Sequence, residues 1–410
     1  MGDVAIIGWG PAGIFTAANL LNNWYDRSIF IFEKNNELWK KLKITWGGRC
    51  NLGNYPQSKK EFLESFPRWW ELVKYAYKNF SPKKLFSWYE SNGLNLKKEE
   101  DGRVFPVSDS SEDVLNLFYQ IFDKSSNLQI LYNTEVNKLQ QDSNKISIKT
   151  SKGTFLFDKV IVTTWGSFYS YTWSKWDWYV FAESIGHTIS PPASGLTGFY
   201  TKEDFSDITG ISFKNPLLRY QDSFVNKPVI FTHKWIWGPW SFALSSIVAY
   251  MDISYSNPLL VKFVPDADLN YEKLEKFFKD CNQRYPRKQV NTMLKSLFPK
   301  KFVDYVGKSI WLNLEQKICN FPKEERKKLN KIFWEWLEIN LIKRKPWDEF
   351  VTCGWVNTEE VTYSLESKML SWVYFAWEVL DVDWFTGWFN LRWCFASWYI
   401  VAKSILEKSW

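Results

Sequence analysis

The sequence predicts an α/β fold organised on a Rossmann-like βαβ unit, and three observations in its first 34 residues predict it. The apolar run Val4–Ile7 enters the turn Gly8-Trp9-Gly10-Pro11-Ala12-Gly13. That turn opens a helical pattern from Ile14 to Leu21. A second apolar run, Ile29–Phe32, ends on Glu33 and Lys34. Gly8, Gly10 and Gly13 keep the GxGxxG spacing, and Glu33 lies twenty residues after Gly13. Strand, glycine turn, helix, strand and terminal acid together form a dinucleotide fingerprint. Gly8 makes the tight turn, Gly10 lets the backbone approach a pyrophosphate, and Gly13 lets the helix sit close to the strand. The phosphates rest on amides at the helix N-terminus. Glu33 accepts from a ribose hydroxyl. The competing reading is an ordinary βα turn.

The chain's 410 residues suffice for two or three domains. It is 45% hydrophobic and 24% charged, an ordinary soluble profile. No apolar run reaches ~18 residues, so no membrane helix is expected. Met1-Gly2-Asp3 enters the first strand without a signal pattern. The five cysteines, Cys50, Cys281, Cys319, Cys353 and Cys394, are scattered and never spaced CxxC. A cytoplasmic protein with no structural metal is therefore expected. A net charge of +7 is mild for this length. Its cations are mixed with acids, as in Lys323–Lys328, and read as solvated faces rather than a nucleic-acid footprint.

Tryptophan breaks the ordinary pattern. The chain has 26 Trp and 19 Gly, where Gly alone ordinarily makes up about 7% of residues, roughly 29 here. Many Trp stand in turn-rich, polar stretches such as Thr164-Trp165-Gly166-Ser167 and Ala376–Asn390. Small residues belong there, because a Trp supplies positive φ only at a cost. The expectation is that many of these codons are UGA, read as glycine by the source organism. About 20 such replacements would raise Gly to roughly 39, a content compatible with many tight turns. A genuinely Trp-rich protein is the alternative.

The remaining elements follow in order. Trp46-Gly47-Gly48-Arg49-Cys50-Asn51 reads as a glycine-rich loop wrapping a ligand. Arg49 is its candidate cation for a phosphate or a flavin edge, against a solvated surface Arg. Lys60–Phe66 and Trp70–Tyr77 space apolar residues as helices. Asp101–Ser108 reads as a short strand and turn, and Asp113–Phe122 as a helix. Leu128–Val136 and Lys145–Phe157 alternate as strands, the latter as a hairpin. Lys159–Thr164 is a buried-type strand. Pro191-Pro192 marks a break. Beyond it residues 195–265 read as strands and 270–338 as polar helices; 341–345 and 350–352 return to strand. Val373–Ala376 is a last strand, followed by a turn-rich loop and a helix from Asn390 to Leu406.

These residues resemble the BaiN/YhiN family of bacterial FAD-binding flavoproteins, within the glutathione-reductase-like superfamily. The likeness runs essentially end to end. Gly8–Gly13, Glu33-Lys34, Thr45–Asn51, Gly102–Ser108, Val160–Gly166, Phe231–Ile236, Val351–Val356 and Tyr374–Asn390 carry it. In that family the positions of Trp39, Trp46, Trp165, Trp173, Trp176, Trp178, Trp235, Trp355, Trp377, Trp384, Trp388 and Trp398 are glycine, so the departures all run one way. The resemblance implies a glutathione-reductase-type FAD domain formed by residues 1–190 and 350–410. An inserted domain, 191–349, interrupts it, with a β-barrel-like part (191–268 and 339–349) and a helical part (269–338). Gly8, Gly10, Pro11, Ala12 and Gly13 would hold the pyrophosphate of FAD and Glu33 the adenosine ribose, with the adjoining Lys34 counted among the cofactor-binding residues. Val136 would meet the adenine. Thr164, Trp165 and Gly166 would pass the phosphates. The loop residues Gly47, Gly48, Arg49 and Asn51 would also touch the cofactor, Trp377-Glu378 would stand at the ribityl chain, and Gly387, Trp388, Phe389 and Asn390 at the isoalloxazine.

No second strand–GxGxxG–helix unit follows, even with glycines restored, so NAD(P)H as electron donor would dock on the exposed flavin face. The absence of a CxxC argues against disulfide reductase chemistry. Cys50 reads as a packing residue or as a thiol near the ring. His187 reads as a helix C-terminal residue, and His233 as a turn residue or a cleft residue. Three functions remain open. The first is an FAD-dependent oxidoreductase acting on a small-molecule substrate, reducing a double bond as the bile-acid member of the family does. The second is a flavin-dependent tRNA-modifying enzyme. The third is a non-catalytic flavin protein. No residue is assigned as catalytic.

Overall fold

The computed structural model describes residues 2–36, 48–55, 58–63, 66, 68–100, 102–164, 177–191, 193–335, 337–345, 351–382, 384–385 and 388–408. They form two compact units, Met1–Ala193 with Val351–Trp410, and Ser194–Phe350.

The first unit is built on a parallel sheet. Its strands are β1 (Val4–Ile7), β2 (Ile29–Phe32), β3 (Leu128–Leu131), β4 (Lys159–Val162) and β5 (Val373–Phe375). Their spatial order is β5-β4-β1-β2-β3, with every pairing parallel. All four residues of β1 and of β4 are buried. A central parallel strand is covered on both faces, so its sequence is a continuous apolar run rather than an alternating one. This is the Rossmann-like α/β fold. Helix α1 (Pro11–Asn22) leaves β1 with Gly10 as N-cap and Pro11 at the first helical position. Proline suits that place, because its missing N–H would have no helical partner. Phe15 of α1 packs against Phe395 and Trp398 of α2 (Trp388–Glu407), with ring centroids 4.4 and 5.0 Å away. The last helix of the chain therefore shares a core with the first.

Two small antiparallel sheets flank this one. Leu96–Lys98, Arg103–Pro106 and Gly53–Asn54 form the first. Val136–Asp142, Lys145–Thr150 and Gly153–Phe157 form the second. The single strand expected over Leu128–Val136 is two. Asn133 at φ +50 turns the chain between them, so Leu128–Leu131 joins the parallel sheet and Val136 opens the meander.

The second unit carries an eight-stranded antiparallel sheet. In spatial order its strands are Ser212–Phe213, Val229–Phe231, Trp235–Trp237, Phe199–Thr201, Leu337–Arg344, Leu259–Val264, Leu217–Tyr220 and Ser223–Asn226. Among the described residues the first and last of these do not pair, so the hydrogen-bond ladder does not close as a barrel would. Phe213, Phe231, Phe263 and Phe302 pack edge to face on one side of it. A helix, Pro239–Ile247, lies where only strands were expected. Its signal was Gly238-Pro239, a left-handed glycine before proline at the first helical position. Four helices, Tyr271–Arg284, Val290–Leu294, Lys300–Ser309 and Lys323–Asn330, complete the unit.

Twelve described non-glycine residues have positive φ, and five are Trp: Trp24, Trp69, Trp311, Trp372 and Trp377. Trp supplies 26 of 410 residues, so five of twelve is far out of proportion. Two of them close helices. After α1, Trp24 donates its N–H to the Leu21 carbonyl and Tyr25 donates to Leu20, each at 3.1 Å. After Lys300–Ser309, Trp311 donates to Lys308 at 3.2 Å and Leu312 to Gly307 at 2.9 Å. Both are Schellman caps with Trp at the left-handed position that glycine ordinarily fills. The two side chains are 89% and 94% exposed, so no packing compensates the backbone cost.

Candidate cofactor site

The chain passes from β1 through β2 to β3 on one side, then returns to β4 on the other side of β1. The strand order reverses between β1 and β4, and in open α/β sheets ligands bind beyond the carboxyl ends of the strands at that point. The glycine turn stands there. Gly8 has φ +100 and donates its amide to the Phe32 carbonyl at 2.9 Å. A Cβ on Gly13 would lie 2.2 Å from the Gly8 carbonyl oxygen and 2.8 Å from Thr163 Oγ1. Only glycine lets α1 approach β1 and β4 this closely. Thr163 ties the strand ends together, its hydroxyl donating to the carbonyls of Ile7 and Gly8 at 3.0 and 2.9 Å. The first helical bond is Ile14 N–H to Gly10 at 3.1 Å, and Gly10 offers no side-chain cap. The amides of Ala12 and Gly13 in this first turn suit an anion.

Glu33 ends β2 beside the turn and is buried. Its carboxylate accepts from the Trp9 amide at 3.1 Å and from the Asn35 amide at 2.8 Å. Thr134 donates its amide to the Glu33 carbonyl at 2.9 Å, so the segment leading to buried Val136 passes the end of β2. Lys34 is exposed. Thr164 follows β4, and its Cα lies 3.2 Å from where a Cβ of Gly8 would stand. Its hydroxyl is buried with no hydrogen-bond partner among the described residues. A buried hydroxyl left unpaired is costly, and here it lies at the switch point.

Gly8, Gly10, Pro11, Ala12, Gly13, Glu33 and Thr164 thus come together. Arg49 belongs to another cluster. Its guanidinium bonds Glu99 at 2.6 Å and Asp109 at 2.7 Å and stacks 4.0 Å over Phe105. Lys97 completes the network on Asp109. The bonds from Lys97 and Arg49 hold the Asp109 carboxyl below its usual range. Arg49 is thus charge-balanced by two acids. Gly48 has φ +88, and Asn51 caps its own turn by accepting from the Gly53 amide at 3.0 Å. Burial pushes the Cys50 thiol up to about 12, so it stays protonated at neutral pH.

Beyond β5, the Ala376 amide donates to Val162 at 3.0 Å, holding this segment against the end of β4. Trp377 sits at φ +68, buried, with its amide on Ser397 Oγ at 3.0 Å. Glu378 follows in the short 3-10 turn Trp377–Val379, and Trp388, Phe389 and Asn390 form the first turn of α2. Gly47, Trp165, Gly166 and Gly387 lie outside the described residues. Within the glycine turn itself, Trp9 is buried 5.3 Å from Phe122, and its indole N–H is buried without a partner among the described residues.

A buried cluster that the sequence reading missed lies in the same unit. His187 Nδ1 is 3.0 Å from Glu360 Oε2, and His187 Nε2 is 2.7 Å from Ser367 Oγ. Burial pushes the imidazole below its usual range, and the Glu360 contact opposes this only in part. Ser367 Oγ also accepts the amides of Met369 and Leu370, each at 3.0 Å, which makes the trio a structural tie. Among the described residues no group of His, Cys, Asp or Glu is arranged to hold a metal ion.

Comparison with known proteins agrees with this architecture. The family model described as HI0933-like protein Rossmann domain matches residues 2–404. The chain is 25% identical to the ribosomal RNA dihydrouridine synthase of Haemophilus influenzae, over 98% of each chain. It is 24% identical to the 3-dehydro-bile acid delta(4,6)-reductase of Clostridium scindens, over 100% of each. It is 22% identical to the ribosomal RNA dihydrouridine synthase of Escherichia coli, over 98% of each. The chain belongs to the HI0933-like family of FAD-dependent oxidoreductases and is an enzyme of that class.

Proposed function

From that membership we propose a reductase of a carbon–carbon double bond conjugated to a carbonyl, with NAD(P)H as electron donor. The observation that carries it is the shared chemistry of relatives with unlike substrates. A bile-acid delta(4,6)-reductase and a dihydrouridine synthase, as their names state it, both saturate such a bond. FAD, when bound, supplies the redox chemistry, while the protein sets access and electrostatics. The first-turn amides of α1 would hold its pyrophosphate, with Gly8 and Gly13 keeping the backbone close. Glu33 would accept from the ribose, and the Thr164 hydroxyl, without a partner among the described residues, would gain one. The test is anaerobic reduction of the flavin in the purified protein by NADH or NADPH, then reoxidation by an enone or by a uridine-containing RNA. A bound flavin that no nicotinamide reduces, or whose reduced form neither acceptor reoxidises, would refute the proposal.

We further propose that much of the Trp in this sequence is glycine in the protein as its source organism makes it. The left-handed caps at Trp24 and Trp311 support this, as do the left-handed Trp377 and the indole inside the glycine turn. Mass spectrometry of the native protein decides it; Trp found at positions 24, 311 and 377 would end the idea.

A further inference from the structure

The formal charge of +7 is not spread over the chain. Met1–Ala193 with Val351–Trp410 holds 27 Lys and Arg against 27 Asp and Glu. Ser194–Phe350 holds 25 against 18, the whole excess. Within it, residues 284–331 hold 13 Lys and Arg against 4 Asp and Glu. Averaging over 410 residues hides this concentration.

Many of these cations are ordinary solvated partners. Lys295 pairs with Asp304, Lys308 with Asp207, Arg326 with Glu275, and Lys327 with Glu324. One group is different. The helix Tyr271–Arg284 ends in an exposed stretch, Arg284-Tyr285-Pro286-Arg287-Lys288. Backbone bonds fasten that stretch to residues 316–319. Ile318 donates to Lys288 at 2.9 Å, and Cys319 donates to Pro286 at 3.2 Å. The bridge between Gln289 and Lys317 brings Lys317 alongside. Arg284, Arg287, Lys288 and Lys317 are all exposed. None of them meets a carboxylate among the described residues, in contrast to the four pairs above. Tyr285 stands among them 46% exposed, with Lys288 Nζ 4.4 Å from its ring centre. Four exposed cations with no carboxylate partner among the described residues, on a backbone-braced ridge, suit a polyphosphate backbone by charge. An exposed aromatic ring between them matches a base plane, since stacking tolerates any base.

We infer that this ridge, Arg284, Tyr285, Arg287, Lys288 and Lys317, is a docking surface for a single-stranded segment of RNA. It rests on the reductase reading only in that a uridine-containing RNA is one of the acceptors proposed there. The probe is a 20-nucleotide oligouridine RNA, its binding followed by fluorescence anisotropy from 50 to 200 mM salt. Four phosphate contacts predict a slope of log K against log salt of about −3. The quadruple variant R284E/R287E/K288E/K317E should lose at least ~10-fold in affinity and most of that slope. Tyr285→Ala should lose about 5-fold or more with the slope unchanged. Reversing two exposed lysines of the neutral unit, Lys83→Glu with Lys124→Glu, should change neither. Circular dichroism establishes that each variant is folded, which exposed positions favour.

Equal RNA binding by the quadruple variant and the parent would overturn the inference. So would absence of binding at 50 mM salt. Loss in the quadruple variant with no effect of Tyr285→Ala, and equal competition by heparin, would show a general polyanion patch and also overturn it. Two readouts keep the proposals apart. If a small enone is reduced while RNA is not bound, the docking surface fails and the reductase stands. If RNA is bound through the ridge while no acceptor reoxidises the flavin, the reductase fails and the docking surface stands.

Discussion

The two units of this chain solve different physical problems. The first is electrically neutral, and its site is made of backbone: a left-handed glycine, a glycine with no room for a methyl group, and the uncapped start of a helix. The second carries the entire net charge, and four of its exposed cations meet no carboxylate among the described residues. Backbone recognition suits a cofactor whose pyrophosphate is the same in every member of a family. Side-chain charge suits a variable partner, because exposed residues change without disturbing a core. On the proposed readings, the chemistry belongs to the first unit and the choice of partner to the second.

The largest expected effect tests the claim that the first unit depends on backbone approach. Gly13→Ala places a carbon 2.2 Å from the Gly8 carbonyl, and something must shift in a close-packed layer. A loss of about 3 kcal/mol or more is expected, with loss of flavin. Gly210→Ala in the second unit meets no atom within 4 Å and bears only its φ of +83, so about 1 kcal/mol is expected. Denaturant titration of both variants, with flavin absorbance, measures the contrast; equal losses would break it.

Glu33→Ala comes next. The Trp9 and Asn35 amides lose their acceptor and the ribose loses its partner, which should weaken FAD binding by about 1–3 kcal/mol. Isothermal titration of the apoprotein reads this directly. A released flavin that chromatographs as FMN alone would remove the need for Glu33 altogether.

Trp24→Gly and Trp311→Gly sharpen the comparison from the other side, since each unit contains one such cap. Both indoles are exposed and both backbones are left-handed. Each replacement should stabilise its own unit by about 1 kcal/mol, and the two gains should add because the sites share no partner. An unchanged or lowered thermal midpoint for both would show that the caps are not strained.

The smallest effect is a pH dependence confined to the first unit. The folded His187 has its pKa lowered by burial, so the unfolded chain binds the proton more readily. Its contribution is present above the unfolded value of about 6.5 and is lost as pH falls through the lower folded value. Stability should therefore decline below about pH 6.5. His187→Gln should flatten that decline without affecting RNA binding by the ridge. A thermal midpoint that falls equally in parent and variant would show that another group titrates.

Much of the first unit was legible residue by residue. Val4–Ile7 and Lys159–Val162 announce buried parallel strands by being apolar throughout, and Gly8 to Gly13 announces its turn by spacing. These are local constraints on φ, on helix capping and on burial, and a local constraint leaves a local trace. The excess of Trp at glycine-like places was legible for the same reason, and the left-handed caps at positions 24 and 311 give it a backbone meaning. Other features left no such trace. Asn133 divides an apparently continuous strand. Pro239–Ile247 forms a helix in a region of strands. Arg49, read as a candidate cation for a phosphate or a flavin edge, bonds Glu99 and Asp109, which lie 50 and 60 residues away in sequence.

The sequence by itself determined the class of fold, the βαβ turn and the kind of cofactor, because each rests on periodicity or backbone geometry within a few residues. Only the tertiary structure decided which distant groups meet. It brought His187 to Glu360 and Ser367 across 173 and 180 positions, set Thr163 and Thr164 against Gly8, and drew Lys317 beside Lys288. Such pairings follow from which buried surfaces fit together across the whole core. No window of sequence contains both partners, so no local pattern encodes them.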